Sequence, residues 1–382
     1  MQKKIIALAI AGLASSAAFA QTNVQIYGIV DAAMAYVNNS QGRDGFAVQS
    51  GVLAGNRIGF KGTEDLGNGL KANFVLEQGF NLNDGSQAST TNGSFQRQAW
   101  VGLSGGFGSV SFGRQYAPGY GAFLANDALG GALLSAGMTL NGVAGFTIAG
   151  NSNARWNNSI KYVTPTMGGF TAEAIYRAGE VSNDFASNEG YGLGMNFKGG
   201  PVNVNYVYHH TDGAAQGSLE GLTAAQWVNP TPATGAIMDE HYVGATFDAK
   251  VLKVMASYTF GQMTGKNSNG MQVGQMFVLG TIVPIGKANL HLNYGLLDMD
   301  GNTRKTAASG LAQSYGAAVT YGLSKRTTLY AGLNHTDLPR NNANFGYNGA
   351  TAGSALANQN AANLINGGGD GTTVGMGVNH AF

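Results

Sequence analysis

The chain has 382 residues, no cysteine, 60 glycines and only 11% charged residues. Its formal charge of +1 removes the electrostatic basis for a nucleic-acid partner. Without cysteine an exported chain has no disulfide staples, so backbone pairing and packing must hold it.

Residues 1–20 read as a signal peptide, with a basic start at Lys3 and Lys4, an apolar run over 5–14 and the small-x-small site Ala18-Phe19-Ala20. That apolar run is shorter than a membrane span needs. Removing the two lysines leaves 19 basic residues against 20 acidic ones. Residues 21–382 read as one domain, and no stretch of it is apolar enough for a transmembrane helix.

In chain order, the first strand covers 24–32, with Val24, Ile26 and Val30 on one face and Gln25, Tyr27 and Asp31 on the other. Segments 57–62 and 70–78 flank a turn at 64–69 and form a hairpin. Its apolar face carries Ile58, Phe60, Phe74 and Leu76, and its other face carries Arg57, Lys61, Lys71 and Glu77. Arg97 shares parity with Val101 and Leu103 of the next apolar face, so it faces inward only if a bulge intervenes.

Residues 115–155 interrupt the pattern. They are rich in Gly and Ala, and Asp127 is their only charge before Arg155. A connection this long is usually functional. In a closed barrel its natural place is the interior, where the apolar run 133–140 suits a helical turn or two against the wall. Later strands keep one apolar face, such as Leu290, Leu292, Tyr294 and Leu296 against Asn289, His291 and Asn293. Seven short turns and eight long polar loops imply about sixteen strands.

The pattern therefore predicts an all-β protein, a transmembrane antiparallel β-barrel of 16 strands with its third long loop folded into the lumen. The final strand, 373–382, ends on Phe382 and suits closure against the first, which removes both sheet edges. By parity the inward charges are Arg57, Lys61, Lys71, Arg155, Lys161, Arg177 and Lys253 against Asp31, Glu77 and Glu173.

Several motifs are set aside. Gly67-Asn68-Gly69-Leu70-Lys71-Ala72 fits a dinucleotide fingerprint by spacing, but a strand follows where that motif needs a helix. Asp298 and Asp300 open like a calcium loop that no distal Glu closes. His209, His210 and Asp212 come nearest to a catalytic group and read as polar residues at a loop start. No metal, cofactor or enzymatic activity is expected.

The stretch Asn56-Arg57-Ile58-Gly59-Phe60-Lys61-Gly62-Thr63-Glu64-Asp65-Leu66-Gly67-Asn68-Gly69 resembles the early hairpin of Gram-negative general porins of the β-proteobacterial and Neisserial type. Arg97-Gln98-Ala99-Trp100-Val101-Gly102-Leu103, Phe112-Gly113-Arg114-Gln115-Tyr116, Asn158-Ser159-Ile160-Lys161-Tyr162 and the terminal Phe382 extend the resemblance over almost the whole chain. It implies a homotrimer of 16-stranded barrels in the Gram-negative outer membrane, each with the loop at 115–155 as its constriction. It also implies a basic wall of Arg57, Arg97 and Arg155 facing that loop, and Phe382 as part of the signal read by the barrel-assembly machinery. The ending Asn379-His380-Ala381-Phe382 departs from the family in lacking a basic residue near the terminus.

The expected function is a water-filled channel for passive diffusion of small hydrophilic solutes and inorganic ions, modestly anion-preferring, with Asp127 alone on the loop to oppose the arginines. Outer-membrane lipid and lipopolysaccharide are the expected surroundings. The alternatives are a substrate-specific channel and a surface adhesin or receptor acting through loops 211–239 and 338–371.

Overall fold

The computed structural model describes residues 23–39, 44–88, 93–144, 146–148, 154–179, 189–212, 236–265, 271–300, 310–338 and 370–382. The signal peptide expected at 1–20 and most of loops 211–239 and 338–371 lie outside them.

The first strands are β1 (Asn23–Asn39), β2 (Asp44–Ser50), β3 (Arg57–Gly67), β4 (Leu70–Gly79), β5 (Gln98–Gly105) and β6 (Gly108–Tyr116). Helices α1 (Pro118–Ala125) and α2 (Ala136–Ala144) follow. The wall resumes with β7 (Arg155–Val163), β8 (Phe170–Arg177), β9 (Gly190–Gly199), β10 (Val202–Asp212), β11 (Ala236–Asp248) and β12 (Lys253–Gly265). It ends with β13 (Met271–Ile285), β14 (Ala288–Asp300), β15 (Gly310–Gly322), β16 (Thr327–Asp337) and β17 (Gly371–Ala381). All pairings are antiparallel.

Closure is direct. β17 pairs with β1 from Ile29↔Ala381 to Asn39↔Gly371, and Gly28 and Phe382 exchange both backbone hydrogen bonds at 3.1 Å. On its other edge β1 pairs with two strands in succession, β3 over residues 23–29 and β2 over 32–38. These two strands therefore share one position, and the 17 described strands fill 16 places in the wall. The first strand is longer than the 24–32 expected from alternation. The structure carries β1 to Asn39 and places β2 at Asp44–Ser50, because Phe46 and Val48 resume period two after the polar residues of the sequence at 40–43. The early hairpin is also tighter than read: β3 runs to Gly67, and Asn68 and Gly69, with φ of 52° and 78°, make the two-residue turn.

Burial divides the two faces. Val24, Ile26, Met34, Val101, Leu103, Leu193, Leu292, Val374 and Met376 are exposed on the apolar face, with Tyr162, Tyr176, Tyr191, Tyr206 and Tyr258 among them. The opposite, polar face carries Asp31, Glu77, Ser159, His209, Glu240 and Asn293, all buried. An apolar exterior with aromatic side chains and a polar opposite face is the arrangement for a barrel in lipid.

The segment between β6 and β7 packs on the polar face. Helix α1 contacts β8 to β11 and α2 contacts β13 to β16. Leu140, Ala144 and Phe146 join Met276, Val278, Leu297 and Ala312 in one buried cluster, and Leu129, Ala132 and Leu134 join Ala33, Ala318 and Tyr330 in another. The apolar run at 133–140 thus enters a helix as anticipated, whereas α1 was not anticipated, its four-residue start Pro-Gly-Tyr-Gly being poor in helix formers.

Glycine makes the seat for this segment. A Cβ at Gly194 would lie 2.8 Å from Cβ of Pro118, one at Gly280 would lie 2.8 Å from Cβ of Ala128, and one at Gly295 would lie 2.6 Å from Leu140. Gly244, Gly261 and Gly316 meet Asn126, Phe146 and the Leu134 carbonyl in the same way. The high glycine content therefore has a steric cause on the covered strands: the segment lies closer to the wall than side chains would allow.

Two outcomes follow from this packing. Deleting residues 378–382 removes the partners of Ile29 to Ala32 and of Gly28, each unsatisfied backbone group costing on the order of several kcal/mol in lipid. The truncated chain should lose the heat-modifiable folded band on gels, and a truncated chain that keeps it would contradict closure through β17. Gly280→Val should lower stability to denaturant by about 1–3 kcal/mol through overpacking against Ala128. Gly121→Ala, where the added methyl meets nothing within 4 Å, serves as the control and should cost nothing.

Candidate functional site: a basic cluster on the polar face

The covered strands leave β3 to β7 as the part of the polar face against which no buried apolar cluster of the segment packs, apart from Ala117 on Trp156. The arginines gather there. Arg97 lies one residue before β5, outside the β4–β5 ladder that begins at Glu77↔Gln98. Strand parity therefore does not govern it, and no bulge is needed to turn it inward. Its Nε donates to Glu77 Oε1 at 2.7 Å, and its side chain is only 12% exposed. Arg57 opens β3, and its Nε donates to the Gly55 carbonyl at 2.9 Å. A Cβ on Gly55 would stand 3.2 Å from Arg97 Nη1, so the two guanidiniums border the same short bend.

Arg155 opens β7 opposite Tyr116, where the β6–β7 ladder shifts register between Gly113 and Gln115. That irregularity brings the end of β6 and the start of β7 to one point. Arg97 and Arg155 both donate from Nη2 to the Tyr116 hydroxyl, at 3.0 and 2.8 Å. Tyr116 stacks on Tyr120 of α1 with ring centroids 4.2 Å apart and planes 3° apart, and Arg155 Cζ lies 4.7 Å from the Tyr116 centroid. Tyr27 closes the other side by donating to Glu77 Oε2 at 2.9 Å. The cluster thus holds three guanidiniums and one carboxylate, a formal excess of two positive charges.

The remaining inward charges are dispersed. Lys61 is exposed with Nζ 5.1 Å from the Tyr27 ring, and so extends the basic face. Lys71 is exposed at the turn end of β4, opposite Asp65. Lys161 donates to the Tyr116 carbonyl at 3.1 Å and lies 3.8 Å from Glu173. Arg177 stacks over Trp156 at 5.5 Å and donates to the carbonyls of Glu189 and Asp212. Lys253 lies 3.9 Å from Asp248 at the far end of β12.

Two acids differ from their expected roles. Asp127 accepts from the amides of Leu129 and Gly131, at 2.9 and 3.0 Å, and from the Ser135 hydroxyl. Burial pushes its carboxyl up, against those three donors, which favour the ionised form. It organises its own segment, and among the described residues its hydrogen-bond donors are Leu129, Gly131 and Ser135 and not the arginines it was expected to oppose. Asp31 is fully buried and accepts from Tyr330 at 2.8 Å, Asn379 at 2.9 Å and the Leu53 amide at 3.3 Å. It ties the closing strands to the bend at 51–56, whose Val52 carbonyl accepts from Leu133 at 2.9 Å.

His209 and His210 point to opposite faces. His210 bonds Asp239 at 2.7 Å, while His209 is fully buried against Trp156. Among the described residues no group of three or more His, Asp or Glu side chains could hold a metal. Sequence reasoning missed Tyr116 and Tyr120 as the surface that orients the arginines, since strand parity carries no signal for a stack formed across a strand end and a helix.

Residues 7–341 match the model of the Gram-negative porin family. The outer membrane porin protein 32 of Delftia acidovorans is 33% identical over 336 residues, covering 87% of this chain and 89% of that protein. A major outer membrane protein P.IB of Neisseria gonorrhoeae is 28% identical over 284 residues, covering 70% and 76%. Among solved structures, the anion-selective porin from Comamonas acidovorans aligns with a TM-score of 0.73 and 27% identity over 95% of this chain and all of that one. With a closed 16-position barrel, an apolar exterior and a family match over most of its length, the chain belongs to the Gram-negative porins.

Proposed function

We propose that this protein is a multi-pass porin of the Gram-negative outer membrane, a passive channel for small hydrophilic solutes and ions whose pathway runs past the Arg57, Arg97 and Arg155 cluster and favours anions modestly. The family and fold point to a non-enzymatic channel. The observation that carries the anion preference is the excess of guanidinium over carboxylate where the segment from Ala117 to Ile148 leaves the polar face uncovered. On this reading the segment constricts the lumen from the β8 to β16 side and pushes permeating ions toward the basic side. In a narrow pore with low-dielectric walls a few fixed charges are focused, so a small excess biases permeation even with the chain near neutral overall. The anion selectivity named for the Comamonas acidovorans porin supports the same sign.

The partners follow the family resemblance. A homotrimer is supported by the exposed Phe46 and Val48 on β2, which is paired through one edge alone among the described strands. Outer-membrane lipid and lipopolysaccharide would cover the remaining apolar face. Recognition of the C-terminal strand by the barrel-assembly machinery is supported by Phe382 standing at the seam. Loops 211–239 and 338–371, the basis for an adhesin, lie largely outside the described residues.

The zero-current potential across a planar bilayer with a potassium chloride gradient tests this reading. The native channel should prefer chloride, by less as salt rises and the screening length falls from about 10 Å at 0.1 M to about 3 Å at 1 M. Arg57→Glu combined with Arg155→Glu should move the potential toward potassium. A native channel that prefers potassium at 0.1 M would overturn the assignment.

A further inference from the structure

Between α1 and the wall lies a cavity of about 180 Å³. A single water needs only about 10–15 Å³ of such space, so there is room for a small solute. Pro118 and Ala122 of α1 form the roof. The floor is made by β8, β9 and β10, with Glu173, Gly194 and Val207 in one row and Asn196 beside Asn205 in the next. That second row stands close to the short turns at 164–169 and 200–201, which mark the periplasmic end of an outer-membrane barrel. The cavity is therefore a side recess on the periplasmic side of α1. A Cβ at Gly194 would lie 2.9 Å from Cγ of Glu173, so the missing side chain is part of what keeps the recess open.

Two polar groups on this floor have hydrogen-bonding capacity to spare. Asn205 is only 6% exposed. Asn196 Nδ2 donates to the Val204 carbonyl at 3.3 Å, to Asn203 Oδ1 at 2.6 Å and to Asn205 Oδ1 at 2.8 Å. A backbone carbonyl can only accept, which fixes the orientation of the Asn196 amide and, through it, that of Asn205. Asn205 Nδ2 is thereby turned away from Asn196, and it is buried with no hydrogen-bond partner among the described residues. Glu173 keeps 29% of its side chain exposed, and its ion-pair partner Lys161 stands 3.8 Å away, too far for a hydrogen bond. Buried polar atoms nearly always find a partner, so the Asn205 N–H calls for an acceptor that the chain does not supply.

The lining sets the chemistry of that partner. The N–H of Asn205 needs an acceptor, and the carboxylate of Glu173 accepts only. Their strands, β10 and β8, are two strand spacings apart, about 10 Å, so a single small molecule has to present an acceptor at one edge and a donor at the other. Val163, Val207, Pro118 and Ala122 offer apolar surface between them. Glu173 and Lys161 cancel in formal charge, which leaves the recess neutral. An anion would face the Glu173 carboxylate, and a simple cation would leave the Asn205 N–H unanswered. A neutral body with hydroxyls around its rim and C–H groups on its faces meets every condition, because each hydroxyl both donates and accepts.

We infer that the recess between α1 and strands β8 to β10 binds a neutral polyhydroxylated solute of monosaccharide size, which accepts from Asn205 Nδ2 and donates to Glu173. The inference rests on the chain being a channel, since the lumen is the route by which such a solute reaches the recess. It does not depend on the anion preference. The site lies beside the path of ions along β3 to β7, so it holds sugars and not the ions that the arginines attract.

Saturation-transfer NMR on the folded full-length protein in a detergent without a sugar headgroup tests this, with D-glucose, D-xylose and myo-inositol as the probes. At least one of the three should bind saturably. Asn205→Leu, which removes the donor at similar volume, should weaken that binding by about tenfold or more. Asn205→Asp keeps the acceptor for Asn196 and replaces the N–H by an oxygen, and should weaken it as much. Glu173→Gln, which loses one of the two accepting oxygens, should weaken it several-fold. Sodium acetate and choline chloride should not displace the bound polyol. Absence of binding by all three probes, binding that Asn205→Leu and Asn205→Asp leave unchanged, or displacement by acetate or choline would each overturn the assignment. Should Asn205→Leu fail to reach the heat-modifiable form, Asn205→Asp and Glu173→Gln decide. Conductance of the same preparation in a planar bilayer separates the two readings. A conducting protein that binds no polyol would sink the recess alone, whereas a folded protein that binds polyol and passes no ions would sink the channel reading beneath it.

Discussion

Backbone hydrogen bonding in a medium without water is the constraint on which this structure depends. Hydrocarbon offers no partner to an exposed N–H or C=O, so a wall of strands is viable in lipid only if its first and last members pair. Here the pairing of β1 with β17 and the reciprocal bonds of Gly28 with Phe382 close that ring. Closure with period-two alternation then fixes the rest of the design. One face meets lipid and is apolar, the other encloses polar side chains, and anything long and apolar in a connection is better placed against the wall than in solvent.

The segment from Ala117 to Ile148 shows what that enclosure permits. Its buried apolar residues pack with Met276, Val278, Leu297 and Ala312, with Ala318 and Tyr330, and with Val207 and Tyr242, so the barrel carries a core on one side of its polar face. Glycines on six strands lower the wall to receive it. The uncovered side keeps the arginine cluster. Arg97 and Arg155 converge on one phenol oxygen and one of them is paired with Glu77, which holds the guanidiniums in place without cancelling them. A buried carboxylate at Asp31, satisfied by three donors, anchors the bend at 51–56 to the closing strands in the same economical way.

Much of the fold was legible because period two is a strong signal over many short segments: the facing of Val24 and Ile26 against Asp31, the strand count and the terminal strand all followed from alternation. The broken position made of β2 and β3 was not, because the polar run at 40–43 and a six-residue bend at 51–56 hide the pairing of both with one strand. Arg57 and Arg155 could be placed by parity, but Arg97 could not, since it precedes its ladder. Asp127 was misread as an opponent of the arginines because composition reveals a charge and not the three donors its own turn supplies. His209 looked like a solvated residue at a loop start. Its partners, Gly119 and Thr147, lie 90 and 62 residues away, a separation at which sequence carries no pairing signal.

The central claim is that the permeation pathway runs along β3 to β7 and not along the strands covered by the segment. The native chain has no cysteine, so single cysteines can report each side without background. Lys61→Cys lies on the exposed basic side, and Ala318→Cys lies beneath Leu129, Ala132 and Leu134 with 4% exposure. Single-channel current should be recorded before and after a water-soluble charged methanethiosulfonate reagent is added. The account predicts a stepwise fall in current at Lys61→Cys and no change at Ala318→Cys. Block at Ala318→Cys with none at Lys61→Cys would contradict it.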